Sequence, residues 1–257
     1  MAEHREEGPA DLTAQVRRHL ESLRAAGVDW LPAPTPLPER IPEAPSVAAK
    51  GLFETEIVAA PAALTVDRRR LDLQMLAEQV AGCTRCKELA ATRTQTVFGV
   101  GRLDPEVCFI GEAPGRDEDA VGEPFVGAAG QLLTRIIVAM GLKREEVYIC
   151  NILRCRPPDN RPPTPDEAAN CREWLQKTLE LVRPKYICAL GASAVKHLTG
   201  ATQGITRMRG KWLDYNGIPV MCTFHPSYLL RDPTKKREVW EDMKALLTRM
   251  GRPVPAK

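Results

Sequence analysis

The chain has 257 residues with a formal net charge of +3, 44% hydrophobic residues and eight cysteines. That length can bury a full core, so one domain plus an extension is expected. No apolar run approaches the roughly 18 residues that span a bilayer, and the polar, acidic start carries no secretory core, so a cytoplasmic protein without membrane partners is expected. The charge is unevenly placed: residues 1–70 hold 9 Lys+Arg against 11 Asp+Glu, leaving 27 against 22 for residues 71–257. A modestly basic body suits transient phosphate contact, although many enzymes share it.

In chain order, Leu12, Val16, Leu20 and Leu23 recur at helical spacing and Gly27 closes them, which predicts one amphipathic helix over 11–26. The stretch Leu31-Pro32-Ala33-Pro34-Thr35-Pro36-Leu37-Pro38, with Pro42 and Pro45 beyond it, excludes helix and central strand and predicts an extended linker. Residues 46–66 are alanine-rich without a clear period, so 1–70 reads as an appendage. From Leu71 the pattern changes. Leu71, Met75, Leu76 and Val80 form a helical stripe that leads into Gly82-Cys83. Apolar strands are predicted at 107–110, 147–152, 186–190 and 220–224, alternating with helices at about 128–141, 165–182, 191–199 and 235–250. Alternation of this kind predicts an α/β three-layer sandwich, with a central four-stranded parallel sheet and helices on both faces. Ligands of such sheets bind beyond the carboxyl ends of the strands. Gly111-Glu112, Asn151 and His225 each follow a predicted strand, so they should meet in one crevice.

The cysteines divide in two. Cys108, Cys150, Cys188 and Cys222 sit inside apolar runs and read as core residues, since free cysteine packs as a small hydrophobe. Cys83, Cys86, Cys155 and Cys171 sit among polar residues and turns. Without a secretory signal, a metal site is favoured over disulfides. Four thiolates suit tetrahedral zinc or a [4Fe–4S] cluster, and spacing does not choose between them. Ordinary packing is the third reading.

The two motifs Gly111-Glu112-Ala113-Pro114-Gly115, continued by Arg116-Asp117-Glu118-Asp119, and His225-Pro226-Ser227-Tyr228-Leu229-Leu230-Arg231 resemble, together with the second cysteine set, the signature of family 4 uracil-DNA glycosylases. The resemblance covers about residues 71–250, with a short tail at 251–257. It implies a [4Fe–4S] cluster on Cys83, Cys86, Cys155 and Cys171, and a DNA-repair enzyme that hydrolyses the bond between uracil and deoxyribose. It implies that Glu112 serves catalysis and water positioning and that His225 donates to uracil O2. Phe125 is similar to the aromatic on which the flipped base stacks, and Asn151 to the amide that reads the O4 and N3 edge. Gly111 and Ala113 would line the base pocket. Glu118 would lie near the pyrimidine 5-position and exclude a thymine methyl.

Such an enzyme reaches its base only after the base leaves the stack. Leu230 with Arg231 fits a wedge and a phosphate or groove contact, and Ser227 a phosphate contact; the basic run Lys235-Lys236-Arg237 reads equally as a solvated helix face. A monofunctional monomer acting on uracil-containing single- or double-stranded DNA is expected, with a possible repair or replication partner at residues 1–70. Three rivals remain. A related branch becomes covalently trapped on the abasic site, but it has Gln where this chain has Ala113 and a histidine-containing insertion that residues 154–160 lack. The others are a non-catalytic cluster-bearing DNA-binding module and a zinc-stabilised nucleotide hydrolase.

Overall fold

The computed structural model describes residues 65–255 together with Arg17, Glu21, Ser22, Arg24 and Ala25, these five being helical and exposed. The apolar stripe predicted within 11–26, the proline stretch and most of residues 46–66 lie outside the described residues. The chain divides into two units, residues 1–59 and 60–257, and the rest of this description concerns the second. Among the described residues no helix is long and apolar enough to cross a membrane.

The sheet has six strands rather than four. They are β1 (Val100–Gly101), β2 (Val107–Gly111), β3 (Tyr148–Asn151), β4 (Tyr186–Leu190), β5 (Trp212–Tyr215) and β6 (Ile218–Thr223), in the order β1-β3-β2-β4-β6-β5. The four predicted strands are the central parallel ones, β3-β2-β4-β6. The expectation of a purely parallel sheet is corrected at both edges, where β1 and β5 pair antiparallel. β1 is two exposed residues, too short for any period. β5 is only partly buried and joins β6 through Asn216 and Gly217, both at positive φ (51° and 83°), as a tight two-residue hairpin demands.

Alternation along the central strands feeds two cores. Phe109, Ile149, Cys188 and Met221 face one side, with α4 (Ala128–Ala139) and α9 (Lys236–Arg249). Cys108, Ile110, Cys150, Ile187, Ala189 and Cys222 face the other, with α5 (Pro165–Val182) and α6 (Gly191–Thr199). The first cysteine set is thus core, each member 0% exposed. α5 starts where its sequence says it should. Thr164 Oγ1 accepts from the Glu167 N–H (3.2 Å) while Glu167 Oε2 accepts from the Thr164 N–H (2.8 Å), a reciprocal cap ahead of Pro165.

A third apolar cluster joins α1 (Val66–Ala81) and α2 (Lys87–Thr92) to α5 through Leu76, Val80, Leu89, Leu153 and Trp174. Three short helices complete the scaffold: α3 (Arg116–Val121), α7 (Ile205–Met208) and α8 (Pro226–Arg231). Register sets the functional end. Gly111 is level with Asn151, and Leu190 with Thr223, so the residues following β2, β3, β4 and β6 emerge along one edge.

Candidate functional site

That edge opens into a cleft of about 640 Å³ whose walls include Glu112, Phe125, Asn151, Ser193, His225 and Arg231. Parallel pairing runs past the strand ends: the Ile152 N–H donates to the Gly111 carbonyl (2.9 Å) and the Leu153 N–H to that of Glu112 (3.1 Å). Glu112 is therefore held beside Asn151 by backbone bonds. Burial pushes its carboxyl above the ordinary range, and a hydrogen bond from Ser193 opposes that shift.

Asn151 is 2% exposed, and its Oδ1 has no hydrogen-bond partner. An unpaired buried acceptor costs about 1–3 kcal/mol, and Asn151 lines the cleft. Gly111 makes room for it. A Cβ there would lie 2.4 Å from Asn151 Oδ1 and 2.5 Å from the Phe125 ring.

His225 closes the other side. It is the N-cap of α8, whose first residue, Pro226, comes with its φ already fixed. The Ser227 backbone N–H lies 3.1 Å from His225 Nδ1, and Ser227 Oγ lies 2.7 Å from it. A backbone N–H can only donate, so Nδ1 accepts and the neutral ring carries its proton on Nε2. Burial, with the nearby positive charge of Arg231, drives the imidazole down to about 4. The site therefore holds a neutral imidazole that donates from Nε2.

The Phe125 ring lies 5.6 Å from the His225 ring at 34°. Phe125 has φ 56°, a conformation rarely adopted by a bulky side chain and common at ligand clamps. Gly130 permits it, because a Cβ there would overlap the Phe125 carbonyl. An aromatic platform, an unsatisfied amide, a donating imidazole and a partly desolvated carboxylate thus surround one planar space. They fit a flat heterocycle bearing both a carbonyl and an N–H.

Residues 98–244 match the family model of the uracil DNA glycosylase superfamily. The chain belongs to that superfamily. It is 46% identical over 176 residues to the type-4 uracil-DNA glycosylase of Thermotoga maritima, covering 67% of this chain and 91% of that protein. It is 40% identical over 191 residues to the type-4 enzyme of Archaeoglobus fulgidus, covering 71% and 96%. To the type-5 uracil-DNA glycosylase of Pyrobaculum aerophilum it is 30% identical over 184 residues, covering 59% and 80%.

Set within this glycosylase scaffold, most residues singled out from sequence converge. Glu112, Ala113, Glu118, Phe125, Asn151, His225, Ser227 and Arg231 line the cleft, and Gly111 lies beneath it. Leu230 is outside the cleft wall and 43% exposed. Glu118, expected near the pyrimidine 5-position, also meets backbone amides. Its Oε2 accepts from the Gly115 N–H (3.1 Å), and its Oε1 from those of Val126 and Gly127 (both 3.0 Å).

Sequence reading missed Ser193, Ile205 and Thr206, and also Asn160 and Arg161 from the loop after β3. The position of Ser193, three residues beyond β4, was its one available signal.

The expectation of a [4Fe–4S] cluster is corrected. Among the described residues, no group of three or more His, Cys, Asp or Glu side chains is placed to hold a metal ion, which counts equally against zinc. Cys83, Cys86, Cys155 and Cys171 line one small cavity beside Leu89, Leu153 and Trp174. Sharing a cavity wall is not enough for a ligand set, which requires its donors to converge on one ion. Burial raises the thiols of Cys86 and Cys155, and that of Cys171 to about 11, which favours their neutral forms. The segment around α2 is joined to the loop after β3 and to α5 by polar contacts. Arg161 bridges Glu88 (2.6 Å) and Glu167 (2.7 Å), Arg85 meets Glu173 (2.7 Å), and Arg93 Nη1 lies 3.0 Å from Cys155 Sγ.

Proposed function

We propose that this protein is a monofunctional DNA-repair glycosylase of the type-4 branch. It hydrolyses the N-glycosidic bond of deoxyuridine in DNA, releasing uracil and leaving an abasic site. The observation that carries the reading is the buried Asn151, whose Oδ1 has no partner, in the same cleft as Phe125 and the neutral His225. An amide offers an acceptor and a donor side by side, which matches the N3–H and O4 of uracil and mismatches the same edge of cytosine.

As the N1–C1′ bond breaks, its electron pair passes to the base and positive charge grows on the sugar. His225 Nε2–H donates to O2, where the negative charge collects. Glu112 lies on the side of the developing cation and orients the water that adds to C1′, taking up its proton. A neutral donor suits this task, since it stabilises the anion without first transferring its own proton. Phe125 holds the ring plane. Ser227 and Arg231 meet the strand beside the flipped nucleotide, and Leu230 fills the gap it leaves.

No lysine is among the described residues lining the cleft, so no amine is placed for Schiff-base strand cleavage. The extension expected at residues 1–70 overlaps α1 at its end, the first unit closing at residue 59. The part before α1 is suited to tethering a repair or replication partner, and the glycosylase domain works as a monomer.

The test is uracil release from an oligonucleotide bearing one deoxyuridine, followed by alkaline cleavage, with Glu112→Gln and His225→Ala alongside. Release by wild type with losses of about 100- to 1,000-fold in each variant is expected. Binding without release would overturn the reading in favour of a binding module, and an adduct on a denaturing gel in favour of the trapping branch.

A further inference from the structure

We infer that Glu118 is a positioning residue that caps two helices at once and thereby sets the Phe125 ring against the base, rather than a group that touches the base. The inference rests on the uracil-excision reading of the same cleft.

Both helix starts in question lack a side-chain cap of their own. α3 begins after Gly115 and α4 after Gly127, and neither glycine can offer an oxygen. Glu118, three residues into α3, reaches back to the Gly115 N–H with Oε2, as the third residue of a capping box does. Its Oε1 crosses to the second start and accepts from both Val126 and Gly127. One carboxylate thus satisfies exposed amides of two helices and places negative charge at both positive ends.

Both glycines let carboxylates approach the backbone closely. A Cβ at Gly115 would come within 2.7 Å of Glu118 Oε2, and one at Gly127 within 2.7 Å of Asp117 Oδ2. Phe125 immediately precedes the clamped pair. Its left-handed backbone holds only while residues 126–127 are fixed on one side and Gly130 admits its carbonyl on the other.

The clamp has a fixed base. Asp119, 3% exposed, accepts the Thr94 N–H with both oxygens (3.1 and 3.0 Å), and Gln95 Nε2 donates to the Ala120 carbonyl (2.9 Å). α3 is therefore tied to residues 94–95 on one flank and to the Phe125 loop on the other.

The experiment compares wild type with Glu118→Ala and Glu118→Gln. It measures deuterium uptake across residues 122–130, single-turnover uracil release, and base release from an oligonucleotide with a thymine–guanine mismatch. In Glu118→Ala, uptake at residues 126 and 127 should rise and uracil release fall about 10- to 100-fold, the scale of a small misplacement of a binding surface, with no thymine released. Glu118→Gln keeps one carbonyl oxygen for residues 126 and 127, and should restore their protection and most of the rate. Unchanged uptake in Glu118→Ala would overturn the clamp, and newly gained thymine release would overturn it in favour of a steric gate. A wild type that releases no uracil would fail the functional reading alone, because the uptake comparison still decides the clamp.

Discussion

Gly111 and Asn151 are level in adjacent parallel strands, and a single methyl group at Gly111 would come within 2.4 Å of the Asn151 side-chain oxygen. The glycine at the head of the first motif is therefore the space in which the Asn151 amide and the Phe125 ring sit. Gly111→Ala should keep the sheet, at a cost of about 1–3 kcal/mol for overpacking, while uracil release falls at least about 10-fold because both side chains must shift. A thermal melt and a single-turnover assay, run together, check it. An alanine variant with wild-type turnover would show that the cleft tolerates the displacement.

Asn151→Ala removes an acceptor that has no protein partner, so folding should change little beyond the lost packing. Uracil recognition should lose about 2 kcal/mol, or roughly 30-fold, since the base edge would be left unpaired in a buried site. Inhibition by free uracil should weaken in parallel with the single-turnover rate. A variant that turns over slowly yet binds free uracil as tightly as wild type would remove Asn151 from base recognition.

The pH profile should separate the two groups proposed to act in catalysis. Glu112 titrates above the ordinary carboxylate range because it is partly desolvated, so it sets the acid limb of the rate. His225 titrates near 4 and stays neutral through that limb. Glu112→Gln should flatten the limb, and His225→Ala should retain it at a lower overall rate.

Stability carries the opposite signature. The folded value of His225 lies below its ordinary 6.5, so its contribution is complete above 6.5 and is lost as pH falls toward 4, where the unfolded chain takes the proton first. Glu112, raised on folding, acts in the other sense and loses its contribution as pH rises through its folded value. Thermal midpoints between pH 7 and 4.5 should fall less steeply in His225→Ala than in wild type. An equal slope would mean that the imidazole is not held neutral.

Leu230 projects from α8 into solvent, one residue before Arg231 and outside the cleft wall. Filling a gap in a duplex is needed only when a partner strand is present. Leu230→Ala should thus slow release from duplex DNA about 10-fold and leave single-stranded DNA nearly unchanged. Equal losses on both substrates would argue against a wedge.

Much of this was legible in the chain itself. The four central strands, the caps of α5 and the two motifs are local patterns, each carried by apolar periodicity or a fixed residue order. Their meeting at one edge follows from the rule that parallel sheets bind ligands beyond their strand ends. The Asn216-Gly217 hairpin was equally present in the sequence and announces β5, but the partly exposed Trp212–Tyr215 strand shows too little alternation to draw attention to it.

What the tertiary structure decided concerns distance and direction between segments far apart in sequence. Residue order marked four cysteines that come to line one cavity, yet among the described residues no group of three or more ligands is placed to hold a metal ion. It marked Glu118 as part of a motif, but only the approach of the α4 start to α3 turned its carboxylate toward three backbone amides. Only packing brought Ser193 to Glu112, aligned Phe125 with His225 across a hundred residues, and left one oxygen of Asn151 without a partner. Local preference is written residue by residue, whereas the aim of a side chain depends on neighbours supplied by the rest of the fold.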